Sequence, residues 1–269
     1  MKPKEFFYLL GLRPKPKVFG TRIQRIELPE GTVEYARWLA PEAKDLRLAA
    51  EELAQLRRFI GEGDFAIDVG AQVGDSTLPI ALACGVTGLV LALEPNPYTF
   101  KILAANSKLN PARTHIVPMN VASTDHDGTF TFEYGTSSFS NGGYHAQVSK
   151  WRHGSAFKIQ VEGRRLDRIL QDQYADWLPR LRYLKTDCEG HDLAVLRSIE
   201  KIIAAHRPHI KAEVGKYAPE ADRREMHRML TALGYAVHRF DGAEHPSGEL
   251  LTESDIVEWK RHLDVFAVP

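Results

Sequence analysis

The sequence predicts an α/β fold, a mostly parallel sheet with helices on both faces. Three observations predict it. Short apolar runs at residues 65–69, 89–93 and 116–121 alternate with helical patterns at 75–83 and 98–109. The same alternation resumes over 181–214 after an irregular stretch. The runs are apolar on successive residues, as strands covered on both faces are.

The bulk properties fit that class. At 269 residues the chain suits one large domain with appendages. Its formal net charge is +0, so no global field draws it to nucleic acid or an anionic membrane. The two cysteines, Cys84 and Cys188, are too few for a disulfide framework and too far apart in sequence for a zinc or redox pair. They read as reduced thiols of a cytoplasmic protein. No apolar run is long enough to span a bilayer, so no transmembrane segment is expected. Residues 6–12 (FFYLLGL) are apolar but short for a signal-peptide core, and read as an element packed on its own domain.

Residues 1–60 read as an N-terminal extension and 61–269 as the main domain. In the extension Pro14 and Pro16 interrupt any early helix. Residues 23–28 and 31–35 read as two short strands, and 41–60 as a helix with Leu46, Leu53, Leu56 and Ile60 among its apolar positions. The first apolar run, 65–69, ends in Gly70 and is followed by a helix at 75–83; the second, 89–93, ends in Glu94 and is followed by a helix at 98–109. After the third strand the repeat breaks into an insertion over about residues 123–180. Within it 129–134 (TFTFEY) alternates like a half-exposed strand, 135–154 reads as a polar loop, 157–161 as a strand and 166–169 as the start of a helix. The rest reads as strand 181–186, helix 191–205, strand 209–214, helix 220–233 capped by Gly234, and strands 236–240 and 263–268.

The strongest local signal is DVGAQVGDST at 68–77, between a strand and a helix. Glycines there allow unusual backbone angles and close approach of a ligand. A dinucleotide fingerprint would read G-x-G-x-x-G. This turn reads Gly70-x-x-x-Gly74 and lacks the middle glycine that admits a pyrophosphate. S-adenosylmethionine has no pyrophosphate, and Asp68 could serve its ammonium through water. Glu94 closes the second strand roughly twenty residues on, where a carboxylate accepts ribose hydroxyls. Pro95, Asn96 and Pro97 then stop the strand and start the next helix.

At this point the chain resembles a class I methyltransferase, and more narrowly the FkbM family. The resemblance rests on IDVGAQVGDST (67–77), ALEPNP (92–97), NVASTDHDGTFTF (120–132), RLDRIL (165–170) and LKTDCEGHDLAVL (184–196). It implies a Rossmann-like, mostly parallel seven-stranded sheet with S-adenosylmethionine as cofactor. It implies that Asp68, Gly70, Ala71 and Gly74 surround the methionine part, and Thr77 is expected among the cofactor-binding residues. Glu94 would hold the ribose, with Pro95 and Asn96 beside it, and Val121 and Ala122 would flank adenine. Family members methylate hydroxyl groups of sugars, polyketides and other natural products. Gln72 is a mild departure, since the family more often has a small or polar residue such as Asn there.

On the acceptor side, the fourth core strand ends in KTDCEGH at 185–191. An alcohol attacking a methyl group must lose its proton, so a base or a metal helps. Asp187 is expected to contact the acceptor or the sulfonium region, and Glu189 and His191 are candidates for the base. Read as an extended segment, 187, 189 and 191 share one side. They could also hold a hard divalent cation, although carboxylates at a helix start are common for capping alone. Ser137, Ser138, Asn141, Tyr144 and His145 in the loop could read a sugar, and Glu213 faces the same end of the sheet. His206 and His209 are read as structural. A small-molecule or glycan acceptor is expected, with a homo-oligomer open. An NAD-dependent oxidoreductase and a non-catalytic binding module are the alternative readings.

Overall fold

A computed structural model describes residues 17–41, 43–134, 142–143, 157–215, 218–242, 246–259 and 262–269. The apolar segment at 6–12 and the loop residues Ser137, Ser138, Asn141, Tyr144 and His145 lie outside the described residues.

The described chain opens with an antiparallel hairpin, β1 (Thr21–Leu28) and β2 (Gly31–Trp38). The helix read over 41–60 is shorter: α1 spans Ala50–Leu56. The physical reason is Gln24, whose side chain donates to the Leu46 carbonyl at 2.7 Å and accepts from the Leu46 amide at 2.9 Å. Both backbone groups of Leu46 are thereby satisfied outside a helix.

The repeating unit follows as read: β3 (Phe65–Val69), α2 (Thr77–Cys84), β4 (Leu89–Leu93), α3 (Pro97–Asn106) and β5 (Ile116–Met119). In β3 and β4 every residue is buried, because both faces are covered. Phe65, Ile67, Leu89 and Leu91 pack into one core, and Ala66, Val90 and Ala92 into the other. That split is the two-residue period of a strand.

The insertion is a small sheet of β6 (Ala122–Ser123), β7 (Gly128–Tyr134), β8 (Gly142–Gly143) and β9 (Phe157–Arg164), in the order β6-β9-β7-β8. Within the stretch read as a loop, Gly142–Gly143 therefore pairs with β7. Helix α4 (Leu166–Gln173) leads to β10 (Leu181–Thr186). The single helix read at 191–205 is two, α5 (Asp192–Ser198) and α6 (Glu200–His206). They break at Ile199, whose φ is −119°. The Ser198 hydroxyl donates back to the Val195 carbonyl at 2.6 Å, a contact that competes with the helix ladder.

β11 (His209–Val214), α7 (Glu220–Ala232), β12 (Ala236–Arg239), α8 (Glu253–Glu258) and β13 (Leu263–Val268) complete the chain. Helix α8 was not read from the sequence, although Thr252 and Asp255 form a reciprocal capping box at its start. The seven-stranded sheet runs β12-β13-β11-β10-β3-β4-β5. Only the pairings of β13 with β11 and β12 are antiparallel. The order reverses between β3 and β10, so a crevice opens beyond the carboxyl ends of these two strands.

The N-terminal hairpin packs on α3. Buried Asn106 accepts from the Ala36 amide at 2.6 Å and donates to the Ala36 carbonyl at 3.3 Å and the Val73 carbonyl at 2.8 Å. One side chain thus joins the hairpin to the glycine turn after β3.

Candidate active site

The turn after β3 is built on backbone geometry. Gly70 has φ +80°, and a Cβ there would collide with the backbone carbonyl of Asp187. The Gly70 and Ala71 amides both donate to the Leu93 carbonyl at 3.0 Å. Gln72, the residue that departs from the family pattern, has φ +47° and donates its amide to Glu94 Oε2 at 2.9 Å. The turn therefore clamps the tip of β4 to the tip of β3.

Glu94 stands at the centre of this clamp, 7% exposed. Its Oε1 accepts from the Asn96 amide at 2.8 Å and the Thr99 hydroxyl at 2.9 Å. Burial pushes its carboxyl up to about 7, against the lowering effect of these donors and of Lys185. Asn120 donates to the carbonyls of Glu94 at 2.8 Å and Pro95 at 3.0 Å, fixing the strand exit from the far side. That tie also ends β5 before the residue 121 expected from sequence.

Asp68 lies beneath the turn with no exposed surface. It accepts from the hydroxyls of Ser76 at 2.9 Å and Thr77 at 2.7 Å, and from Lys185 Nζ at 3.1 Å. Burial disfavours a charged Lys185, but the carboxylates of Asp68, Asp187 and Asp75 overcome it and hold the ammonium protonated above its ordinary range.

The tip of β10 closes the crevice. The Asp187 amide donates to the Val69 carbonyl at 3.0 Å. The segment 187–191 is not extended as read from sequence. Glu189 has φ +51° and Gly190 φ +98°, and the His191 amide donates to the Cys188 carbonyl at 3.2 Å, so the chain curls into α5. This turn is held from β11: Glu213, 3% exposed, accepts the Glu189 amide at 3.0 Å and meets His262 Nδ1 at 3.0 Å. Burial, together with Asp192, Asp187, Glu189 and Asp264, pushes the Glu213 carboxyl up to about 9. Burial and Asp187 also raise Glu189.

A cavity of about 740 Å³ fills the crevice, within the roughly 300–1,000 Å³ of small-molecule sites. Of the residues singled out from sequence, Gly70, Glu94, Pro95, Asn96, Val121 and Ala122 line it on the cofactor side. Asp187, Glu189 and His191 line it on the acceptor side. Asp68, Ala71, Gly74 and Thr77 are not among the lining residues: Asp68 is buried beneath the turn, Ala71 and Gly74 belong to it, and Thr77 opens α2. Among the wall residues that sequence reasoning missed are Asp75, Thr99, Lys185 as a charged group, and the row Phe130, Phe132 and Tyr134 on one face of β7. A lysine inside the apolar strand LRYLKT was the available signal, since a buried ammonium needs partners.

These residues fit S-adenosylmethionine. Glu94 offers the ribose a buried acceptor, and the carboxylates of Asp75, Asp187 and Glu189 suit a ligand carrying a sulfonium and an ammonium. A pyrophosphate fits poorly, because the amides of Gly70, Ala71, Gln72 and Gly74 are already bonded to protein oxygens. Among the described residues no group of three or more His, Cys, Asp or Glu side chains is arranged to hold a metal ion. No helix among them is long and apolar enough to cross a membrane.

Residues 68–239 match the Methyltransferase FkbM domain. The chain is 28% identical over 202 residues to the methyltransferase sdnD of Sordaria araneosa, covering 67% of this chain and 76% of that one. It is 28% identical over 159 residues to the hexuronic acid methyltransferase AglP of Haloferax volcanii, covering 58% of each. A crystal structure of a methyltransferase FkbM from Methylobacillus flagellatus KT aligns at 14% identity and TM-score 0.47, over 77% of this chain and 44% of that chain. The chain thus spans little more than half of the haloarchaeal relative and less than half of the solved protein.

Proposed function

The chain belongs to the FkbM methyltransferase family, and from that premise we propose that it transfers a methyl group from S-adenosylmethionine to a hydroxyl of a sugar or other natural-product acceptor. When bound, this cofactor supplies a methyl carbon made electrophilic by its sulfonium.

The observation that carries the reading is Glu94. It lines the cavity at the β4 tip while pinned by the Gln72 and Asn96 amides and the Thr99 hydroxyl. A carboxylate offers roughly four acceptor sites, so three donors leave capacity for a ribose hydroxyl. Fixing it in advance reduces the ordering cost of binding.

The acceptor enters against the β10 turn. Direct displacement requires the attacking oxygen, methyl carbon and sulfur in line, with water kept out. Asp187 orients the acceptor hydroxyl, and Phe130, Phe132 and Tyr134 supply apolar wall across the cavity. Glu189 takes the hydroxyl proton on its carboxylate. Its raised pKa brings it nearer to the operating pH, as an effective general base requires. The sugar class draws support from the haloarchaeal relative, which is named as a hexuronic acid methyltransferase. The family match favours this reading over the dehydrogenase weighed from the sequence.

The test is transfer of radiolabelled methyl from S-adenosylmethionine to a panel of glycosides, uronic acids and lipid-linked sugars, with magnesium and with chelator. Label appearing as a methyl ether on one acceptor class supports the reading. Label found only on nitrogen, or as a carboxyl ester, refutes transfer to a hydroxyl.

A further inference from the structure

Resting on the reading of the cavity as an S-adenosylmethionine site, we propose that the Lys185 ammonium takes the carboxylate of the cofactor's methionine part.

A carboxylate leaving water needs a cation or several N–H donors. Turn amides ahead of a helix are the usual donors. Here several of them are engaged. Gly70 and Ala71 donate to Leu93, Gln72 to Glu94, Gly74 to the Ala71 carbonyl at 2.8 Å, and Ser76 to Asp75 Oδ1 at 3.0 Å. The cavity walls beside the turn carry Asp75, Glu94 and Asp187, which repel a second anion.

Two lysines line the cavity among the described residues, Lys185 and Lys211. Lys211 is paired with Asp264 at 3.1 Å. Lys185 stands beside the turn. Its Nζ meets Asp68 Oδ1 at 3.1 Å and the Gly70 carbonyl at 3.4 Å, and reaches Asp187 only at ion-pair distance, 3.7 Å. An ammonium has three N–H donors. Two point at these oxygens, and Asp187 holds the third too loosely for a hydrogen bond. Asp68 does not depend on Lys185 alone, because the Ser76 and Thr77 hydroxyls satisfy its other oxygen. A buried ion pair adds little stability over an apolar pair of the same size, so packing does not account for this lysine. A ligand carboxylate does.

The test is calorimetric titration with two probes differing only in the carboxylate, S-adenosylmethionine and decarboxylated S-adenosylmethionine. The proteins are the full chain and the double variant Asp68→Asn with Lys185→Met, which removes the charges as a pair. The full chain is expected to prefer the carboxylated probe by about tenfold or more, the scale of a charge-assisted contact. In the double variant the preference should shrink to about twofold or less. No preference in the full chain, or the same preference in the variant, overturns the proposal. A second measurement needs no variant. With lysine labelled at 15Nζ, the Lys185 resonance should shift with the carboxylated probe and not with the other, and equal shifts overturn it. Failure of the full chain to bind either probe would refute the cofactor reading itself, a result distinct from binding both equally.

Discussion

A side chain on Gly70 would run into the backbone carbonyl of Asp187, so the cofactor turn and the acceptor turn meet at a point that only glycine can occupy. The φ of +80° at Gly70 adds to the restriction. Gly70 thus limits how closely the two halves of the site, at the tips of β3 and β10, can approach.

Gly70→Ala should therefore separate them. Steric displacement and the left-handed backbone together should cost about 2–4 kcal/mol of stability. Affinity for S-adenosylmethionine should drop at least as sharply as stability. Thermal melting and calorimetric titration read the two effects, and an alanine variant with unchanged affinity would disprove the contact.

Glu94 makes cofactor binding pH-dependent. Its folded pKa of about 7 lies above the ordinary carboxylate value, so below pH 7 the native carboxyl is largely protonated. Ribose donors favour the ionised form, and affinity should rise as pH goes from 6 to 8. The sign for stability is opposite. The native state retains this proton where the unfolded state has lost it, so stability falls as pH rises through about 7. Glu94→Gln should flatten both profiles and weaken binding at pH 8.

Asp187→Ala and Glu189→Ala should lower methyl transfer by roughly 10²–10⁴-fold, the range of a lost acid–base group. Full turnover in both variants would move the acceptor chemistry elsewhere in the cavity.

Asn106→Ala should destabilise the fold by about 2–4 kcal/mol, because it strands the Ala36 amide and the Ala36 and Val73 carbonyls in a buried place. The loss should appear as a lower melting temperature. A change below about 0.5 kcal/mol would mean that the hairpin does not brace the turn.

How much of this was legible in the sequence follows from the range of the interactions involved. Strands such as 65–69, 181–186 and 263–268 were readable because burial on both faces fills most of their positions with apolar residues. The glycine turn and Glu94 were readable because their chemistry is local. Gln24 captures the backbone of Leu46 from 22 residues away and holds it out of a helix, and no local pattern records that. The curl at Glu189 depends on Glu213 in the next strand, so an extended reading of 187–191 had nothing local to contradict it. Asp68 pairs with Lys185, lying 117 positions further on, a partner that no local pattern around the glycine turn reveals.

The most direct test of the account is equilibrium binding of radiolabelled S-adenosylmethionine in competition with NAD, for the full chain and for Glu94→Ala. The account predicts saturable binding that NAD does not displace and that the alanine variant loses. Displacement by NAD, or undiminished binding without the Glu94 carboxylate, would contradict it.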